Sequence, residues 1–151
     1  MSLTTFGAMM GFAAEMAGRG EELYRTLSER AQDPELKGLF RTLAGEEGKN
    51  HALMVRARRE NVTEMILEPV AELRPEAYEV NLEVSKLTED VSLLKAALMI
   101  EEREMRFFQD AASKVPLPEV ARIFRKAALK KEENLRRLQG LGLSQTLKQR
   151  T

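Results

Sequence analysis

The sequence predicts an all-α protein, a four-helix bundle made of two helical hairpins joined by a long crossover. Three observations lead to this fold class. Four long segments carry apolar residues at helical spacing among many strong helix formers. The middle connection is far longer than the other two, as in bundles with a crossover. In addition, a shift of 84 residues aligns the first hairpin with the second without a gap.

Hairpin one is expected over about residues 5–60, with helices over about 5–30 and 34–60. The dipeptide Asp33-Pro34 starts the second helix, because Asp is a good N-cap and Pro suits the first helical position. The predicted core faces are made of Phe6, Met9, Met10, Ala13, Ala17, Tyr24, Leu27 and Ala31 near helix one, and of Leu36, Leu39, Phe40, Leu43, Glu47, Asn50 and Met54 in helix two.

A crossover of about residues 61–88 follows hairpin one. Its apolar residues indicate that it packs along the bundle. We expect part of it to be covered by a second copy of the chain, which makes the protein a homodimer. The apolar strip that this copy would cover contains Met65, Ile66, Leu67 and Val70.

Hairpin two covers about residues 89–140, and Gly140 and Gly142 are predicted to end its last helix. The chain is long enough for one hydrophobic core but too short for two. It is therefore expected to be a single bundle domain of residues 1–143, followed by a polar tail of residues 144–151.

The internal repeat is carried by matching motifs in the two hairpins. For example, Leu39-Phe40-Arg41 aligns with Ile123-Phe124-Arg125. Equivalent positions are therefore expected to face one another across a pseudo-twofold axis. At one level their charges are opposite, because Glu47 aligns with Lys131.

Five polar residues interrupt the apolar faces at about one height of the predicted bundle: Glu47, Asn50, Glu101, Lys131 and Asn134. Any one of them could be a boundary residue that reaches solvent, since such residues are seldom fully buried. Because the five fall at matching registers, a polar layer inside the bundle explains them better.

Several motifs recur in the two hairpins: Gly20-x-x-Leu23-Tyr24, Asp33-Pro34-Glu35-Leu36-x-x-Leu39-Phe40-x-x-Leu43-Ala44-x-x-Glu47, Phe107-Phe108, and Pro118-Glu119-Val120-x-x-Ile123-Phe124. With these motifs the chain resembles the rubrerythrin branch of the ferritin-like superfamily. The resemblance implies a ferritin-like four-helix bundle. It also implies that each hairpin supplies a Glu and a Glu-x-x-His, which together hold two iron ions for peroxide or oxygen chemistry.

The resemblance places the six iron-ligand positions at Ala17, Glu47, Asn50, Glu101, Lys131 and Asn134. Only Glu47 and Glu101 keep the family's residue, and the Lys131 ammonium would repel a neighbouring metal. We therefore expect a degenerate di-iron site without metal or other cofactor, in which Lys131 bridges the two glutamates as an internal cation. The two asparagines and the Tyr24 hydroxyl are expected to complete the hydrogen bonds of the layer.

Two functions remain open at this point. The first is a non-catalytic binding or assembly protein without catalytic residues, which acts through its helical faces or its crossover. The alternative is a rubrerythrin-type non-haem iron oxidoreductase with a variant metal site, completed by Glu15, Glu22, Glu104 or a partner subunit. Such an enzyme would need a separate electron donor, because the absence of Cys excludes a rubredoxin-type iron site. The single His, His51, is expected to be a solvated helix residue.

Charge and hydropathy indicate which partners to expect. Lys+Arg and Asp+Glu both number 24, so no global field attracts nucleic acid or an acidic membrane. Basic residues within 56–59 and at 136–137 fit solvated helix ends. The apolar stretches are shorter than the roughly 18–20 residues that cross a bilayer, and the N-terminus lacks a secretory signal pattern. We expect a cytoplasmic protein that binds neither nucleic acid nor membrane, and the sequence identifies no partner other than a second copy.

Overall fold

The computed structural model describes residues 3–60, 69–80, 82–115 and 117–150. Its four α-helices are α1 (Phe6–Arg30), α2 (Pro34–Glu60), α3 (Asp90–Lys114) and α4 (Pro118–Arg150). Helix α1 packs along α2, and α3 packs along α4. The prediction of an all-α bundle built from two helical hairpins is confirmed.

Aspartates fix the junctions between the helices. Asp33 caps α2 as predicted, since its Oδ2 accepts a hydrogen bond from the Leu36 backbone N–H at 3.0 Å. The carboxylate of Asp90, in the first turn of α3, accepts hydrogen bonds from the backbone N–H groups of Gln32 and Asp33, both at 2.9 Å. The turn between α1 and α2 is therefore tied to the start of the second hairpin.

The last helix is longer than the sequence predicts. Helix α4 continues through Gly140 and Gly142 to Arg150, so the predicted end at the two glycines is wrong and most of the expected polar tail is helical. A glycine in a helix interior costs only about 1 kcal/mol, and Leu138 and Leu141, on either side of Gly140, pack against the core and offset this cost. A Cβ at Gly142 would lie 3.2 Å from Leu94 Cδ2, so the glycine also lets α4 pass close to α3.

The crossover forms a short strand that the sequence analysis did not predict. Strand β1 (Leu3–Thr5) pairs antiparallel with β2 (Pro69–Leu73), with Leu3 opposite Leu73. Two 3-10 turns follow, at Pro75–Ala77 and Val84–Lys86. Leu73, Tyr78 and Val84 are buried, so this part of the crossover packs on the bundle as expected.

Most of the apolar strip that a second copy of the chain is expected to cover lies outside the described residues. Met65, Ile66 and Leu67 lie outside the described residues, and of Val70 only the backbone, in β2, is described. In the described ranges of the chain, no helix combines the length and the apolar character needed to cross a bilayer.

The core consists of two hydrophobic clusters at different heights of the bundle. One is centred on Phe107, whose ring packs against Phe12, Tyr78 and Phe124 with centroids 5.1, 5.3 and 6.2 Å away. The other lies at the opposite end and includes Tyr24. The gap between the two clusters is filled by charged side chains.

Candidate functional site: a buried lysine among three glutamates

A charged layer crosses the bundle between the two hydrophobic clusters. Its buried side chains come from α2, α3 and α4, with at most 2% of each residue exposed: Glu47, Glu101, Glu104, Lys131 and Asn134. On α2, for example, the layer lies between Ala44 of one cluster and Met54 of the other. Charged side chains are seldom buried unless they are paired, so their mutual contacts determine whether such a layer is stable.

The Lys131 ammonium lies at the centre of the layer. Its Nζ donates hydrogen bonds to Glu47 Oε1 and to Glu101 Oε2, the second at 3.1 Å. Glu104 Oε1 lies 3.5 Å from the same nitrogen. One cation therefore faces three carboxylates from two other helices. Glu47 and Lys131 are 84 residues apart, so this contact joins positions that the sequence alignment of the hairpins treats as equivalent.

Glu101 has hydrogen-bond donors on both carboxylate oxygens. Its Oε2 accepts from the Tyr24 hydroxyl at 2.8 Å as well as from Lys131. Its Oε1 accepts from Asn134 Nδ2 at 2.8 Å, and the same amide nitrogen donates to Glu46 Oε2 at 2.9 Å. These contacts hold the Glu101 side chain between α1 and α4.

The other two carboxylates direct oxygens toward Gly20 of α1. Within the described residues, Glu47 Oε2 and both oxygens of Glu104 are buried and accept no hydrogen bond from an N–H group, so a hydrogen bond between these two carboxyl groups requires a proton on one of them. A Cβ at Gly20 would overlap Glu47 Oε2 and would lie 3.2 Å from Glu104 Oε2. The absence of a side chain at position 20 therefore gives these carboxylates the space that they occupy.

Burial and neighbouring charge shift the pKa values of this layer. For Glu104, burial and then the charge of Glu47 raise the pKa well above its ordinary value, which favours the neutral acid. Burial also raises the pKa of Glu47, against the attraction of Lys131. For Lys131, burial lowers the pKa, but Glu101 and the other two carboxylates outweigh it and hold the pKa well above its ordinary value. The ammonium therefore stays charged.

A narrow cleft reaches the layer from the surface between α1, α3 and the segment after the first 3-10 turn. It has a volume of about 30 Å³, enough for about two water molecules. Glu104 and Gly20 lie on its wall, together with the apolar side chains of Phe12, Met16, Leu23, Val80 and Ile100. Water or a similarly small molecule can therefore approach the carboxyl group that lacks hydrogen-bond donors.

Two of the six ligand positions derived from the resemblance contribute no polar group to the layer. Asn50 was expected in it, but this residue is half-buried and lines a surface groove between α2 and α4. The same spacing of three residues in α4 leaves Asn134 buried beside Lys131, so the two hairpins differ at this equivalent position. Ala17 is fully buried and offers no polar side chain.

The carboxylates considered for a variant metal site separate into two groups. Glu15 and Glu22 are exposed, whereas Glu104 belongs to the layer. The sequence feature that indicates the burial of Glu104 in the layer is its spacing of three residues from Glu101, which places both side chains on one helix face. His51 is exposed, and its Nδ1 is hydrogen-bonded to the Ala14 carbonyl oxygen at 2.8 Å, away from the layer.

Comparison with known proteins agrees with this fold. The family model for Rubrerythrin matches residues 9–135. The chain belongs to the rubrerythrin family. Among solved structures, a hypothetical protein from Pyrococcus furiosus is similar with a TM-score of 0.67 and 24% sequence identity, over 89% of this chain and 85% of that chain. This likeness supports the fold, and no curated protein matches the chain.

The layer does not fit the iron pair that the rubrerythrin resemblance implies. Of the ligand positions inside it, Glu47 and Glu101 offer carboxylates, whereas Lys131 and Asn134 offer an ammonium and an amide. With Glu104, three carboxylates and one ammonium sum to −2 when all are ionised, against the four positive charges of two ferrous ions. The Lys131 ammonium also occupies the space between the carboxylates, where a metal ion would have to lie.

Proposed function

We propose that this rubrerythrin-family protein has replaced its di-iron centre with an internal ion-pair layer and serves as a non-catalytic binding or assembly protein. The observation that carries the proposal is the position of Lys131 Nζ among three buried carboxylates. A fixed ammonium repels a metal ion at close range, because the protein interior screens charge poorly. The layer would then hold the helices in register, which is a structural role that buried ionic groups can take.

The supply of ligands also supports the proposal. Imidazole ligands are missing from the layer, because the single histidine, His51, contacts the Ala14 carbonyl oxygen elsewhere on the bundle. Ala17 contributes no carboxylate. Once these ligands are lost, the surfaces that remain available for binding are the helical faces and the crossover.

Metal analysis tests the proposal. Wild-type protein is incubated anaerobically with ferrous, manganous or zinc ion and desalted, and its bound metal is measured by mass spectrometry. We expect far less than one ion per chain. The matched variant restores the family's ligands, and its melting temperature should rise with added ferrous or zinc ion, because a metal that binds only the folded state stabilises it. This variant carries Ala17→Glu, Asn50→His, Lys131→Glu and Asn134→His. About two iron ions per wild-type chain, lost in Glu47→Gln, would overturn the proposal.

A second candidate function is a rubrerythrin-type oxidoreductase with a variant metal site. It is favoured by one observation: Glu47, Glu101 and Glu104 each offer an oxygen, and these oxygens lie within 4.8 Å of one another. In that case wild-type protein should bind metal, Glu104→Gln should abolish binding, and Lys131→Met should tighten it by removing the competing cation. Under the first proposal, Glu104→Gln leaves the negligible metal content unchanged.

A further inference from the structure

Three buried carboxylate oxygens of the layer accept no hydrogen bond from an N–H group among the described residues. They are Glu47 Oε2, which lies beside Gly20, and both oxygens of Glu104. One proton shared between the two carboxyl groups would satisfy two of these oxygens and leave the third without a partner. Because buried polar atoms normally have hydrogen-bond partners, the three oxygens indicate a site for a ligand that donates several hydrogen bonds.

The charge of the layer favours a donor that is also a monovalent cation. Three carboxylates and the Lys131 ammonium sum to −2 when all are ionised, and a monovalent cation reduces this excess. A primary ammonium group brings three N–H donors, one for each of the three oxygens. Lys131 already shows this chemistry, because its Nζ donates to the other oxygen of Glu47 and to Glu101. A divalent metal ion would meet twice the repulsion from Lys131.

The narrow cleft between α1 and α3 gives such a cation a route to Glu104. Its volume of about 30 Å³ accommodates about two water-sized groups, which matches ammonium or methylammonium and excludes a bulky quaternary cation. The exposed charged residues that line the cleft are Glu15, Glu79 and Arg19. The two carboxylates outnumber the guanidinium, so the local charge attracts a cation.

We infer that the cleft binds a small primary ammonium cation, either ammonium or methylammonium, whose N–H groups donate to Glu104 and to Glu47 Oε2. The methyl group of methylammonium then lies between the apolar walls of the cleft. The inference names a ligand for the proposed binding role and rests on that proposal, because a metal ion in the layer would compete for the same oxygens. Two iron ions per chain would overturn the proposed function, whereas a metal-free chain that does not respond to ammonium would overturn this inference alone.

Thermal unfolding of the full chain in ammonium-free buffer, with chloride salts added, tests the inference. At neutral pH ammonium and methylammonium are both cations. Each tenfold increase of either ion above its dissociation constant should raise the melting temperature by about 3–5 °C, because the ion binds only the folded state. Potassium has the same charge but no N–H donors, and tetramethylammonium lacks these donors and is too large for the cleft. Neither control ion should produce this rise.

Two substitutions on α3 separate binding in the cleft from a general effect of salt. Glu104→Gln removes the carboxylate at the end of the cleft and should abolish both the rise in melting temperature and the binding of one methylammonium per chain measured by calorimetry. The matched control is Glu102→Gln, because the Glu102 carboxylate pairs with Arg106 outside the cleft. This variant should bind like wild type. A wild-type chain that does not respond to ammonium, an equal response to potassium, or a response that survives Glu104→Gln would each overturn the inference.

Discussion

Replacing Lys131 with Ala removes the only cation that faces the three buried carboxylates within the described part of the chain. Glu47 and Glu101 have side chains that are 0% exposed, so bulk water does not solvate the charges that the ammonium leaves behind. Removing one partner of such a buried pair costs about 3–5 kcal/mol, because it leaves an uncompensated charge in the interior. For a chain of 151 residues, this loss lowers the melting temperature by about 6–20 °C.

Thermal unfolding followed by circular dichroism measures this loss, and the neighbouring lysine provides the control. Lys130 is 46% exposed and makes ion pairs of 3.5 Å with Glu46 and 3.7 Å with Glu133. Lys130→Ala should therefore cost no more than about 1 kcal/mol. If Lys131→Ala unfolds within about two degrees of wild type, Lys131 is solvated and the internal-cation interpretation is refuted.

Replacing the charged layer as a whole tests the source of the loss. A fourfold variant removes every charge at once, so it should be much more stable than Lys131→Ala despite carrying more substitutions. An equal or larger loss would mean that packing volume, and not unpaired charge, determines the stability of the layer. The substitutions are Glu47→Leu, Glu101→Leu, Glu104→Leu and Lys131→Met.

Three further predictions follow from the same layer. The pKa of Glu104 is raised in the folded protein above its ordinary value of 4.5. The protonated carboxyl group therefore stabilises the fold below pH 4.5, and this stabilisation is lost as the pH rises through the pKa of the folded state. Glu104→Gln should therefore gain stability relative to wild type as the pH rises above 4.5 in urea titrations, and a constant difference would contradict the shift. Gly20→Ala should destabilise by about 1–3 kcal/mol because its Cβ overlaps a carboxylate, whereas Gly38→Ala, with open space around it, should stabilise by about 0.5–1 kcal/mol. Tyr24→Phe removes the 2.8 Å hydrogen bond to Glu101 and should cost about 1.5–3 kcal/mol in the same titrations, and an unchanged midpoint would mean that this bond is not formed in solution.

The sequence predicted those parts of the fold that depend on local periodicity. The starts of α1 and α2 follow from apolar spacing and from the Asp33 cap, and Lys131 was expected inside because it falls on a core-facing register. The pairing of β1 with β2 was missed, because it joins two very short segments that are far apart in the chain. Local patterns contain no signal for such a contact.

Within the buried layer, the sequence was ambiguous where charged residues are consecutive. Residues 101–104 read Glu-Glu-Arg-Glu. A shift of one residue in the assumed helical register therefore changes which of these carboxylates point inward. The structure buries Glu101 and Glu104 and leaves Glu102 half-exposed beside Arg106. The end of α4 was misjudged for a different reason, since glycine is a weak stop signal when apolar residues continue to pack beyond it.

The contact between Glu47 and Lys131 has a consequence for which hairpins can pair. Two copies of hairpin one, joined in the same way, would place Glu47 against Glu47 without the Lys131 ammonium between them, because Lys131 belongs to hairpin two. That arrangement would bury two like charges, whereas pairing with hairpin two neutralises Glu47. The layer thus acts as a selectivity element, because it favours the association of hairpin one with hairpin two and penalises the pairing of hairpin one with itself. If chains exchange hairpins during folding, each bundle that results will still contain one hairpin of each kind.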